Sequence, residues 1–183
     1  MATAAVFVVT VILAVLPARG ASSAPGRYPV DKARSEIGFR VSNFGFPVEG
    51  RFTLFDGRVE LAEPFERTRV EGTVKVESIQ TGIRKRDKHL LSPDFFDAAA
   101  FPEMSFKSVQ ITGTPESFEM EGDLTIRGVT KRVRFTGKTA DAAGEGIAVI
   151  AKTAVDRRDF GLSYGSTIGK RVTIVLKVVA GTR

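Results

Sequence analysis

A chain of 183 residues with 27 Lys and Arg against 21 Asp and Glu, one histidine and no cysteine has few routes to catalysis. Zero cysteine excludes thiol chemistry, iron–sulfur clusters, disulfide staples and thiolate zinc sites, and the length suffices to bury a core without staples. Fourteen phenylalanines stand against two tyrosines and no tryptophan; phenyl rings bring apolar area with no polar handle, so whatever they surround should be dry.

Ala4 to Leu16, AAVFVVTVILAVL, is uncharged and mostly apolar. It is shorter than the roughly 20 residues a membrane-spanning helix needs. Pro17 follows, then Ala18 and Gly20, spaced like the small residues before a signal-peptidase cut. The front, MATAA, has no Lys or Arg. The expectation is a secretory signal over 1–20, cut somewhere in 20–24, with an uncleaved anchor as the competing reading. A periplasmic or secreted protein follows from it, with an unordered segment over 21–27 and a single domain over 28–181. Basic residues alternate with acids along the chain. That pattern reads as a solvated surface first and as attraction to an anionic membrane surface second.

Period-two alternation dominates from Ser35 onward. Ile37, Phe39 and Val41 share a parity, as do Val70, Val74 and Val76. Phe118, Met120, Leu124 and Ile126 follow, then Val133 and Phe135. The final run is Val172, Ile174, Leu176, Val178 and Ala180. Turn signals separate these runs: FDG at 55–57, TGTPES at 112–117, IRGVT at 126–130 and DAAGEG at 141–146. In SFKSVQI the parity changes after Lys107, which predicts a bulge. Short strands with one apolar face and tight turns describe an all-β antiparallel sandwich or barrel. The phenylalanines at 39, 52, 55, 106, 118 and 135 suit a packed core or an enclosed cavity, and periodicity does not choose between them.

The stretch SIQTGIRKRDKHLLSPDFFD, 78–97, breaks the alternation. Ile83, Leu90 and Leu91 are spaced for one face of a helix. Ser92, Pro93 and Asp94 read as the N-cap and first turn of a second short helix carrying Phe95 and Phe96. A helical connection near 84–97 is therefore expected, with its charges facing water.

His89 is the sole imidazole, sits among basic residues, and no serine has a G-x-S-x-G context. No metal-ligand spacing is present, and haem ligation by His89 with Met104 or Met120 has nothing to support it. Carboxylate pairs such as Glu119/Glu121 lie on the polar parity, unlike the cleft acids of a glycosidase. RRDFG at 157–161 matches a kinase tripeptide without a phosphate loop or catalytic loop. Aromatics on the buried parity argue against nucleic acid.

Longer motifs match a known family. YPVDKARSEIGFRV at 28–41, VEGRFTLFDGRV at 48–59 and VEGTVKVESIQTG at 70–82 stand in order. RDKHLLSPDFFDAAAFPEMSFKS at 86–108, GDLTIRGVTKRV at 122–133 and RRDFG at 157–161 complete the set. From Tyr28 to Ala180 the chain resembles the YceI-like family of bacterial polyisoprenoid-binding proteins. The chain departs from many members in having Arg34-Ser35 where they carry His before the serine. It also reads Ser42-Asn43-Phe44 where many have another His.

The resemblance implies a lipocalin-like barrel of about eight strands that encloses a long isoprenoid, such as a quinone tail or polyprenyl lipid, with no catalytic residue, metal or cofactor. Stretch 78–97 then becomes a flap on the barrel. The expected tunnel residues are Ile37, Phe39, Val41, Phe52, Phe106, Leu124, Ile126, Val133, Phe135, Ile174 and Leu176, with Leu90, Leu91, Phe95 and Phe96 from the flap. Arg86 and Asp87 are its expected orienting or capping groups. The expected partners are the lipid and, transiently, the membrane surface. The oligomeric state stays open, a homodimer included. The alternative is a secreted interaction or stress-response protein with a filled barrel.

Overall fold

The structure is a computed structural model and describes residues 24–142 and 146–181. The expected signal over 1–20 lies outside them. Strand β1 (Gly26–Pro29) comes first, so Gly26 and Arg27, expected in an unordered segment, belong to the sheet. Then follow β2 (Glu36–Asn43), β3 (Phe46–Phe52), β4 (Phe55–Leu61), β5 (Arg69–Lys75) and β6 (Ile79–Gln80). After helix α1 (Arg84–Leu90) come β7 (Glu103–Thr114), β8 (Ser117–Ile126), β9 (Val129–Asp141), β10 (Ile147–Asp156) and β11 (Arg171–Ala180).

All pairings are antiparallel and they come full circle. β2 pairs with β3, and β3–β4 forms one bent strand against β6 and β5. β5 pairs with β7, and β7 to β11 follow as neighbours until β11 returns to β2. Closure removes the exposed edges that make open sheets aggregate. β1 is an extra strand on β4. It reaches β11 through the Val30↔Ala180 bridge and Asp31 N–H donating to Val179 O at 2.8 Å. Tyr28, Val59, Ile147 and Ala180 pack together at that end, closing it with apolar contacts.

The FDG turn expected at 55–57 is instead the start of β4. The chain bends two residues earlier, where Thr53 N–H donates to Ser78 Oγ at 3.2 Å and Lys75 N–H to Leu54 O at 2.9 Å. A 3-10 turn over Val76–Ser78 bends the partner strand at the same level. Val76, read from sequence as a strand residue, sits in that turn with 1% exposure.

The bulge expected in β7 is present: Ser108 faces Gly122, but Gln110 faces Glu121, leaving Val109 unpaired and exposed. Ser108 Oγ accepts the Val70 N–H at 2.8 Å, and the shifted parity turns Ile111 into the core. At the β8–β9 turn, Arg127 and Gly128 both have positive φ, 50° and 72°. Two left-handed residues match the twist of a tight hairpin.

Outside, opposite charges sit directly across the ladders. Arg132 faces Asp123 and Arg134 faces Glu121, with a 2.8 Å ion pair at the first and a 2.5 Å pair at the second. Arg58 faces Glu71 and Arg40 faces Glu49 in the same way. Exposed pairs contribute about 0–1 kcal/mol each, so they specify register more than they stabilise it.

Candidate functional site: an apolar cavity under a flap

The inward parity of the barrel does not fill its interior. A cavity of about 210 Å³ remains. One buried water needs only about 10–15 Å³ of such space, so the room suits a chain-like ligand rather than a solvent defect. Ile37, Phe39, Phe52, Phe106, Leu124, Ile126, Phe135, Ile174 and Leu176 line it, as the sequence pattern places them, and Phe96 joins them from the flap segment.

Other expected tunnel residues do not line it. Val133 and Phe95 are buried in the core at 8% and 7% exposure. Leu90 and Leu91 are half-buried against that core and brace the flap. Val41 is half-buried near the end of β2, beyond the cavity. Val70, Val74 and Met120, on the apolar parities but not among the expected tunnel residues, also line it, as do Val59, Ile111, Val149 and Val155, which the pattern missed.

Rings are seated on the barrel backbone at three places. Phe39 leans over Gly50, its cross-strand partner, and Phe106 over Gly122, while Phe118 covers Gly137. Each glycine gives a ring a seat on the backbone. Phe106 meets Phe135 edge-on at 5.2 Å, and Phe52 bridges Phe39 at 5.7 Å and Phe96 at 6.2 Å. Across the cavity, Gly57 and Gly72 face each other on β4 and β5 with no ring over them. That bare backbone is the hollow side. Glu71 borders the cavity there but turns its carboxylate outward to Arg58 and Lys107.

Helix α1 and the turns after it cover one end. Asp87 accepts Thr81 N–H at 2.9 Å, and Arg86 donates to Thr81 Oγ1 at 2.7 Å and to Thr81 O at 2.8 Å. Both therefore cap the flap's first hinge and neither lines the cavity. Ile83 is solvent-exposed at the N-cap of α1 rather than on its buried face. The second helix expected from Ser92 does not form. Ser92 Oγ donates back to His89 O at 2.8 Å, Ser92 O accepts from Phe95 and Asp97 N–H, and Asp97 takes a φ of 50°. A chain of turns folds Phe95 and Phe96 inward.

His89 has a structural setting. Its Nε2 lies 2.9 Å from Asp94 Oδ2, and its ring packs against Phe95 at 5.0 Å and Tyr164 at 5.3 Å. Tyr164 belongs to the loop between β10 and β11, so this aromatic trio ties flap to loop. The neighbouring Ser92 turns its hydroxyl to the His89 carbonyl and not to the ring, unlike the serine of a catalytic triad.

Arg157, given no role from the sequence, is 7% exposed and borders the cavity. Its guanidinium donates to the carbonyls of Leu162, Tyr164, Gly165, Ile168 and Gly169. All five of its N–H donors are used, so a buried cation becomes the hub of the loop. Burial pushes its pKa below the usual guanidinium value, yet arginine stays charged. The legible signal was parity: Arg157 continues the inward series Ile147, Val149, Ala151, Val155 beyond β10.

A closed antiparallel barrel with a capped apolar interior is an architecture that encloses lipophilic ligands. The YceI-like domain matches residues 28–180, and the chain belongs to that family. A UPF0312 protein of Photorhabdus laumondii is 36% identical over 134 residues, covering 72% of this chain and 68% of the relative. The crystal structure of Burkholderia cenocepacia BcnA superposes with a TM-score of 0.78 at 24% identity, over 82% of this chain and 99% of that one. A polyisoprenoid binding domain from Saccharophagus degradans matches with a TM-score of 0.71 at 14% identity, over 87% of this chain and 100% of that domain. At these identities the last two speak for the fold.

Proposed function

We propose that the protein binds the tail of a long isoprenoid, a quinone or a polyprenyl lipid, inside the barrel, and sequesters or carries it without catalysis after export from the cytoplasm. The single observation that carries the reading is the apolar cavity of about 210 Å³, which also argues against the filled-barrel alternative. Each methylene-sized group withdrawn from water contributes about 0.8 kcal/mol. A dry tunnel therefore needs no polar contacts for affinity, and its depth sets the chain length it prefers.

The test is organic extraction of protein purified from its native envelope, followed by mass spectrometry. The expected result is a stoichiometric quinone or polyprenyl species. Protein recovered empty that also refuses added isoprenoids overturns the reading. Turnover of a bound isoprenoid that is lost on His89→Ala would replace the carrier by an enzyme.

A further inference from the structure

Register brings several connections to one end of the barrel: the β2–β3 tip, the flap, the β8–β9 turn and the β10–β11 loop. Contacts join them. Phe44 N–H donates to Thr167 O at 3.0 Å, Asn43 bridges to Ile168, and Tyr164 of the same loop packs on His89. At the tip, Phe44 and Phe46 are 72% and 74% exposed, the most exposed large apolar side chains among the described residues. Tyr164 and Ile83 add exposed apolar surface at this end.

The charge on the flap is net positive, with Arg84, Lys85, Arg86 and Lys88 against Asp87, Asp94 and Asp97. Arg84, Lys85 and Lys88 are exposed on α1, and among the described residues none forms an ion pair. Among the acids of neighbouring elements, Asp156 pairs with Arg158, Glu49 with Arg40 and Glu103 with Lys75, while Asp87 and Asp94 hydrogen-bond to Thr81 and His89. Aromatic side chains projecting beside unpaired Lys and Arg are the combination that holds a protein at an anionic bilayer: rings enter the acyl boundary while cations meet phosphate headgroups.

We propose that the flap end docks on an anionic phospholipid bilayer, with Phe44 and Phe46 inserted and Arg84, Lys85 and Lys88 on the headgroups. This goes beyond the cavity reading and does not depend on what the cavity holds.

The chain has no tryptophan, so Phe46→Trp is a clean reporter. Its emission should shift to the blue on adding vesicles of equimolar phosphatidylglycerol and phosphatidylcholine. No shift should occur with phosphatidylcholine alone, or at about 1 M salt, where the screening length falls to about 3 Å. In co-sedimentation with the same anionic vesicles, Phe44→Ser with Phe46→Ser should weaken binding about tenfold. Arg84→Gln with Lys85→Gln and Lys88→Gln should weaken it about a hundredfold. Uptake of a detergent-dispersed isoprenoid should be unchanged in the phenylalanine variant, which separates this surface from the cavity. Absent vesicle binding, or binding indifferent to Phe44 and Phe46, overturns the proposal. So does self-association in solution that the phenylalanine variant abolishes without any vesicle binding, which would give the tip to a second copy.

Discussion

Two walls of one barrel use strand glycines in opposite ways. Around Gly50, Gly122 and Gly137, a phenylalanine from a neighbouring strand lies on the bare backbone. At Gly57 and Gly72, two glycines face each other and no ring arrives. The first wall is a packed core, dense because rings and gaps interlock. The second is a hollow: Phe106, which sits opposite Gly72 on β7, leans instead over Gly122 on β8 and leaves Gly72 bare. Glycine in a strand weakens it through backbone entropy and the missing side chain; what it gives back depends on which neighbour covers it.

The comparison breaks most sharply on the packed side. Phe135, 2% exposed and edge-on to Phe106, should lose about 3–5 kcal/mol of stability on Phe135→Ala through the void left behind. Urea titration measures this, and a loss below about 1 kcal/mol would mean that the wall is not a rigid core. Gly137→Val should cost about 1–3 kcal/mol. Its Cβ would meet Phe118 at 2.7 Å and the Ile150 carbonyl at 2.8 Å, leaving little room to shift.

On the hollow side the two facing glycines should behave differently. A Cβ on Gly72 has only Asp56 O within 4 Å, at 3.4 Å, an ordinary contact. Gly72→Leu should therefore change stability by less than about 1 kcal/mol while projecting into the cavity and excluding longer tails. At Gly57 a Cβ would meet Glu71 O at 2.7 Å, so Gly57→Leu should destabilise as well as block. Melting curves and the chain length of extracted lipid, taken on both variants, decide it. Unchanged lipid in a folded Gly72→Leu protein would move the site elsewhere. Phe106→Ala sits between the walls. It lines the cavity and packs on Phe135, so stability loss and a longer preferred tail should appear together.

How far the sequence reads these walls depends on whether a feature is local. The inward parities of Leu124, Ile126, Phe135, Ile174 and Leu176 are period-two patterns within one strand, and the bulge after Lys107 announces itself as a parity change. The hollow is not local: Gly57 and Gly72 become neighbours only through a pairing that neither strand encodes alone. Ser92-Pro93-Asp94 satisfies every rule for a helix start. Yet turns win, because Phe95 and Phe96 gain more by reaching the core than a short helix gains by forming. Parity turns Arg157 inward but hides its role, for a related reason: its five carbonyl partners come from a loop that only the folded ring brings back.

The smallest expected effect lies outside both walls and serves as their control. Asp156, at the end of β10, receives Arg158 N–H at 3.0 Å and Nε at 2.9 Å. The Arg158 side-chain hydrogen bond, aided by that backbone N–H, holds the carboxyl well below the usual aspartate range. A depressed carboxylate pKa means the unfolded chain binds the proton first, so the contribution is fully present above the ordinary value of about 3.9. It fades as pH falls toward the folded value. Asp156→Asn should therefore show a constant, small stability deficit from neutral pH down to about pH 5, narrowing below about pH 4. Lipid content should be untouched, since the substitution changes charge at the surface and leaves Phe106, Gly57 and Gly72 as they are. Denaturant midpoints across that pH range give the answer, and a deficit that widens on acidification would show the sign to be wrong.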